Sequence, residues 1–100
     1  MSTQTIEKTS VENDQRIAPR WNVILLNDDF HSVPFVIAVL QEIFKKEFQA
    51  AVDITLSVHN TGRGIAATTT KERAELYVEQ VKSMPEGAKG PLGVEMEPCE

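Results

Sequence analysis

The stretch Trp21-Asn22-Val23-Ile24-Leu25-Leu26-Asn27-Asp28-Asp29-Phe30-His31-Ser32-Val33-Pro34-Phe35-Val36 decides how the rest of the chain is read. Trp21 to Leu26 is short, apolar and rich in strand formers, and the turn-forming Asn27-Asp28-Asp29 closes it, so it reads as a first strand. Beyond it the period changes. Phe35, Val36, Val39, Leu40, Ile43 and Phe44 recur at three and four, the spacing of one buried helix face. Ser32 is placed to cap that helix, and Pro34 fits its first turn, where the missing N–H has no intrahelical partner to lose. Lys45 and Lys46 fall at the expected C-terminal end, where cations favour the helix dipole.

Downstream, a second helix is expected from about Phe48 to His59, with Val52, Leu56 and His59 along one side, Thr55 beside them and Gly62 as the stop signal. Arg63 to Thr68 reads as a glycine-interrupted strand. Thr70 then caps a third helix running through Met84, whose apolar side is Ala74, Tyr77, Val78 and Val81. Pro85 to Pro91 is rich in Pro and Gly and must be a loop, after which Leu92 to Met96 forms a last edge strand before Pro98. The order is β-α-α-β-α-β. It implies an α+β two-layer domain, a three-stranded antiparallel sheet with three helices on one face, because each amphipathic helix needs a partner surface and one small sheet supplies it.

Upstream, residues 1–20 set Lys8, Arg16 and Arg20 against Glu7, Glu12 and Asp14, and their few apolar residues follow no period. Such a segment buries too little surface to offset its ordering entropy, so residues 1–20 read as a flexible N-terminal arm ahead of a folded body, 21–100. The arm is neutral, and the body therefore carries the whole formal charge of −5. An acidic chain without a clustered basic face is not a phosphate-backbone binder, which excludes nucleic acid as a partner. With 100 residues, 41% hydrophobic and 25% charged, there is room for one compact domain and no more. No apolar run approaches the roughly 18–20 residues of a bilayer span and no targeting pattern opens the chain, so a soluble cytoplasmic protein without membrane partners is expected. The single cysteine, Cys99, lies in the C-terminal tail and forms neither an internal disulfide nor a cysteine-rich zinc site.

The polar residues left over are few. Asn27, Asp28 and Asp29 sit between a strand and a helix start, where carboxylates suit the helix dipole and Asx side chains close turns. The same oxygens would also accept from an ammonium group, which carries three donors and no acceptor. His59 on a helix side is either a satisfied core residue or a partner of that cluster. Together with His31, Asp28 and Asp29 it offers nitrogen and oxygen ligands for zinc, although the spacing matches no common pattern. No Ser, Thr or Cys lies in a nucleophile motif, and Thr61-Gly62-Arg63-Gly64 lacks the ending of a phosphate loop. Catalysis and bound cofactors are therefore not expected. A pocket with acceptors at its mouth and apolar walls from the first helix suits a hydrophobic side chain attached to an ammonium.

From about Arg20 to Glu97 the chain resembles the ClpS adaptors of bacterial ClpAP-type proteases, through the apolar strand followed by Asn27-Asp28-Asp29-Phe30, then Phe35-Val36 to Val39-Leu40, Val58-His59 with Gly62, and Pro91-Leu92. The resemblance implies a fold like the C-terminal domain of the ribosomal stalk protein. It also implies an adaptor that recognises proteins by a bulky hydrophobic N-terminal residue, Phe, Leu, Trp or Tyr, and delivers them to the N-terminal domain of a ClpA- or ClpC-like unfoldase. In that family's pattern Asn27, Asp28 and His59 hold the substrate's α-amino group and Asp29 supports the turn and the pocket. His31, Val33, Val36, Thr55, Val58 and Leu92 enclose the side chain. His31, Val33 and Thr55 stand where Thr, Met and Met are usual. Val33 is shorter and stiffer than Met and would widen the gate, and Thr55 would make the pocket floor more polar. Glu72 matches an acidic unfoldase-docking position, whereas Tyr77 stands where Lys is usual and also belongs to the third helix's apolar side. The resemblance implies that the arm engages the unfoldase; nothing demands more than a monomer. Two other readings stay open: a small metal-dependent hydrolase built on Asp28, Asp29, His31 and His59, and a regulator that occupies the unfoldase without delivering substrates.

Overall fold

A computed structural model describes residues 19–99. The elements are β1 (Arg20–Leu26), α1 (Val33–Glu42), α2 (Phe48–Thr61), β2 (Arg63–Thr70), α3 (Lys71–Lys82), a 3-10 turn (Gly87–Lys89) and β3 (Val94–Cys99). Nearly all of the arm expected at residues 1–20 lies outside the described residues; Arg20 itself already belongs to β1. The three strands form one antiparallel sheet in the order β2-β1-β3, with the most apolar strand in the centre. No described helix is long and apolar enough to cross a membrane.

Alternation along β1 sorts the two faces. Val23 and Leu25 join one core cluster with Val36, Val39 and Leu40 of α1, Ala51 and Val58 of α2, and Ala74 and Val81 of α3, so all three helices share that face. Across β1, Val23 lies opposite Ala67, yet Ile24 lies opposite Ile65, so Ala66 is an extra residue in β2. This bulge turns Ala66 inward as well as Ala67, which a regular strand cannot do. On the outer face Ile24 is only 1% exposed. Arg63 reaches from β2 across β1 to Glu95 and Glu97 of β3, 3.2 Å from each.

Local signals place the ends of the helices. Ser32 Oγ accepts from the Phe35 N–H and Thr70 Oγ1 from the Arg73 N–H, as N-caps do. Gly62 ends α2 at φ 92°, where a residue with a Cβ is strained. Three expectations need correction. Lys45 and Lys46 lie beyond α1, which ends at Glu42; the Lys46 N–H, rather than an ammonium, meets the Leu40 carbonyl at 3.1 Å. The buried face of α2 is Ala51, Thr55 and Val58, while Leu56 and His59 are exposed. Small residues face inward because α2 lies so close to β2 that a Cβ on Gly64 would stand 2.7 Å from Val58 Cγ2. The last strand also begins later than Leu92 and continues through Pro98, which an edge strand tolerates, so Cys99 pairs opposite Arg20 rather than lying in a tail.

Candidate functional site

The turn joining β1 to α1 is closed by Asp28. Its Oδ1 accepts from the backbone N–H of Phe30 at 2.9 Å and of His31 at 2.8 Å, an Asx turn that aims the following residues into α1. Its Oδ2 meets His31 Nδ1 at 2.7 Å, and the other ring nitrogen, Nε2, meets the Gly90 carbonyl at 2.8 Å. Both partners are acceptors, and a neutral imidazole carries one N–H, so this arrangement is complete only for the doubly protonated ring. The side chain is 3% exposed, and its ring stacks on Phe35 at 5.4 Å between centroids.

Glu86 extends the network. Its two carboxylate oxygens accept from the N–H of Ser32 at 3.1 Å and from its hydroxyl at 2.7 Å, while its own N–H donates to the Gly90 carbonyl at 3.2 Å. The loop between α3 and β3 is thereby stitched to the first turn of α1. Burial alone would lower the His31 pKa, but the Gly90 carbonyl, the Asp28 hydrogen bond and the negative charges of Asp28 and Glu86 outweigh it and hold it above its ordinary value. Burial would likewise raise the Asp28 carboxyl, and the hydrogen bonds from the His31 and Phe30 backbone and from the His31 ring hold it below the usual range instead. Glu86 is lowered by its two hydrogen bonds from Ser32.

Beside this network opens a cavity of about 280 Å³. Asn27, Asp28, Asp29, His59, His31, Val33, Val36, Thr55 and Val58 line it. The β1–α1 turn supplies the first three, the start of α1 supplies Val33 and Val36, and α2 supplies Thr55, Val58 and His59. Asn27 and His59 have no side-chain hydrogen-bond partner among the described residues, and Val33 is half exposed on the helix's first turn.

Several expected roles change here. Leu92 is 2% exposed and packs in the core cluster instead of the cavity wall. Asp28 closes the turn, whereas Asp29 is exposed. Thr55 is buried with its hydroxyl donating to the Ala51 carbonyl at 2.7 Å, so it brings no free donor to the floor. The zinc set fails because both His31 nitrogens are engaged, and no group of three or more His, Cys, Asp or Glu among the described residues is arranged to hold a metal ion. Glu72 is exposed in the first turn of α3, but Tyr77 is half-buried against Phe44, at 4.6 Å between centroids. Five residues apart on a helix, they point about 140° apart. Sequence reasoning missed Glu86 and Gly90 altogether, because a loop has no periodicity to mark two residues that reach back more than fifty positions.

The family model described as ATP-dependent Clp protease adaptor protein ClpS matches residues 16–95. The chain is 40% identical over 97 residues to the ATP-dependent Clp protease adapter protein ClpS of Deinococcus radiodurans, covering 96% of this chain and 81% of that one. It is 44% identical over 80 residues to the ClpS of Wolinella succinogenes, covering 80% and 78%. Among solved structures it matches Agrobacterium tumefaciens ClpS2 bound to L-phenylalaninamide, with a TM-score of 0.75 and 25% identity over 81% of this chain and 98% of that one.

Proposed function

The chain belongs to the ClpS family of ATP-dependent Clp protease adaptor proteins, and from that membership we propose that its cavity receives the N-terminal residue of proteins marked for degradation. It is a Clp protease adaptor with a Clp unfoldase as its partner. The observation that carries the reading is the mixed lining of one cavity: carboxylate, amide and imidazole groups at Asn27, Asp28 and His59, together with the apolar Val33, Val36 and Val58. An α-ammonium bearing a bulky hydrophobic side chain satisfies both kinds at once. The relative from A. tumefaciens is bound to L-phenylalaninamide, which combines these two features.

Asp28 Oδ1 already accepts two hydrogen bonds and Oδ2 one, so Asp28 has a single acceptor position left for the ammonium, and Asn27 and His59 complete its coordination. Burying one Phe or Leu side chain contributes about 1.5–3 kcal/mol, too little alone for micromolar binding; charge-assisted hydrogen bonds of about 1.5–3 kcal/mol each make up the difference. Substrates begin with Phe, Leu, Trp or Tyr. The protein catalyses nothing and acts in the cytoplasm as a monomer. It passes its cargo to a ClpA- or ClpC-type unfoldase, with the residues ahead of β1 as the delivery arm, exposed Glu72 at the docking surface and Tyr77 supporting that helix through Phe44.

Fluorescent peptides that differ only in their first residue test the reading. Phe- and Leu-initiated peptides should bind, Ala-initiated and N-acetylated Phe peptides should not, and Asp28→Asn or His59→Ala should weaken binding at least tenfold. Equal binding of the acetylated peptide overturns it.

A further inference from the structure

Asp28 is a crowded carboxylate. Its Oδ1 accepts from the backbone N–H groups of Phe30 and His31, and its Oδ2 meets His31 Nδ1 at 2.7 Å. With two lone pairs on each oxygen, the one open acceptor position lies on Oδ2, the atom that His31 already holds. A substrate ammonium bound to Asp28 therefore sits on the same oxygen as the imidazolium, the two nitrogens roughly 4–5 Å apart at ordinary hydrogen-bond lengths. We propose that His31 is a positioning residue for amine capture that acts through this shared oxygen: binding of the substrate's α-ammonium drives a proton off the ring, and N-terminal residues are held more tightly once the ring is neutral.

The proposal rests on the function argued above and adds a proton to its binding equilibrium. The buried ring needs no exposed face for this, because it touches Asp28 and not the substrate. Before binding, its charge is kept by Asp28 and the Gly90 carbonyl directly and by Glu86 through its field. Lys89 of the same loop is turned to Glu86 at 3.7 Å, Asp29 of the turn and His59 of α2 share the cavity lining, and the α1 residue stacked on the ring, Phe35, is uncharged. A second cation on Oδ2 repels the imidazolium, by a factor of about five even at the dielectric constant of water and by more in a partly buried site. The proton that leaves, to solvent, is the one on Nε2. Asp28 keeps the Nδ1 proton as the stronger, charged acceptor, and the Gly90 carbonyl still accepts from the Glu86 N–H at 3.2 Å, so it is not left without a partner. By linkage, the affinity gained on deprotonation equals the fall in the His31 pKa on binding, tenfold for each pH unit.

The test is NMR of the ring nitrogens in the full chain, titrated with pH both alone and saturated with a Phe-initiated peptide. The chain has two histidines, and the His31→Gln spectrum tells their signals apart. On saturation the His31 pKa should fall by about one unit, a roughly tenfold affinity gain for the neutral ring, and that neutral ring should carry its proton on Nδ1. Isothermal titration below about pH 7, where the peptide amine enters protonated, counts released protons when repeated in buffers of different ionisation enthalpy. Wild type should release a larger fraction of a proton than His31→Gln. A His31 pKa that stays put or rises on saturation, or a neutral ring protonated on Nε2, overturns the proposal while leaving the adaptor reading intact. Failure of the Phe-initiated peptide to bind wild type, or binding of its acetylated form, overturns the adaptor reading instead. The wild-type titration decides the matter even if His31→Gln fails to fold, with His59→Ala then supplying the assignment.

Discussion

Two charged clusters tie distant parts of this small domain together, and they work differently. On the outer face of the sheet, Arg63 bridges Glu95 and Glu97, all three about half exposed. At the β1–α1 turn, His31 joins Asp28 to the loop before β3, with its ring buried. Both hold together strands or turns far apart in sequence. The exposed cluster trades water for ion pairs of similar energy, whereas the buried one has no water to fall back on, so each atom depends on its partner. Charge alone does not distinguish them; burial and the number of satisfied hydrogen-bond positions do. The buried cluster is also the one that borders the cavity.

Breaking each cluster in turn measures that contrast. Asp28→Ala should have the largest effect: it opens the Asx turn and leaves the His31 cation buried without its counter-ion, a loss of about 3 kcal/mol in urea denaturation, with peptide binding lost as well. Ser32→Ala removes the α1 cap and the partner of Glu86 but no charge, and should cost about 1 kcal/mol. Arg63→Ala should cost between about 0.2 and 1 kcal/mol, mostly gone in 1 M salt, and should leave peptide binding unchanged. If Arg63→Ala matched Asp28→Ala, the contrast drawn from burial would be wrong.

pH sharpens the same contrast. The folded His31 lies above its ordinary value, so its stabilising contribution is complete below about pH 6.5 and declines as pH rises through the folded value. The folded Asp28 lies below its ordinary range, so its contribution is complete above about pH 4 and declines as pH falls through the folded value. The stability difference between wild type and His31→Gln should therefore be greatest between about pH 4 and 6.5 and shrink on either side. A difference that grows steadily toward pH 9 would contradict the double protonation of the ring.

Much of the architecture was legible in the chain itself. The strand ending at Leu26, the Ser32 and Thr70 caps and the Gly62 stop are local, each decided by residues within one turn of the others. The residues around the cavity were legible through family resemblance, and the structure brings nine of the ten together, with Leu92 in the core instead. What misled was size. On α2 the large residues Val52 and Leu56 looked like the buried side, yet close packing on Gly64 turns the small face of Ala51, Thr55 and Val58 inward. The donor in Thr55 looked free until the Ala51 carbonyl one turn away took it.

The sequence by itself determined the order of strands and helices, the ends of the helices and the polar turn beside an apolar wall, because periodicity and capping act over a few residues. The tertiary structure alone decided that Ala66 bulges, that Arg63 meets Glu95 and Glu97, and that His31 is held by Gly90, 59 positions away. Those outcomes depend on which surfaces meet once the sheet has closed. A histidine's charge is likewise settled by the acceptors that the folded chain brings to its two nitrogens, and one of these comes from a loop that no local pattern links to it.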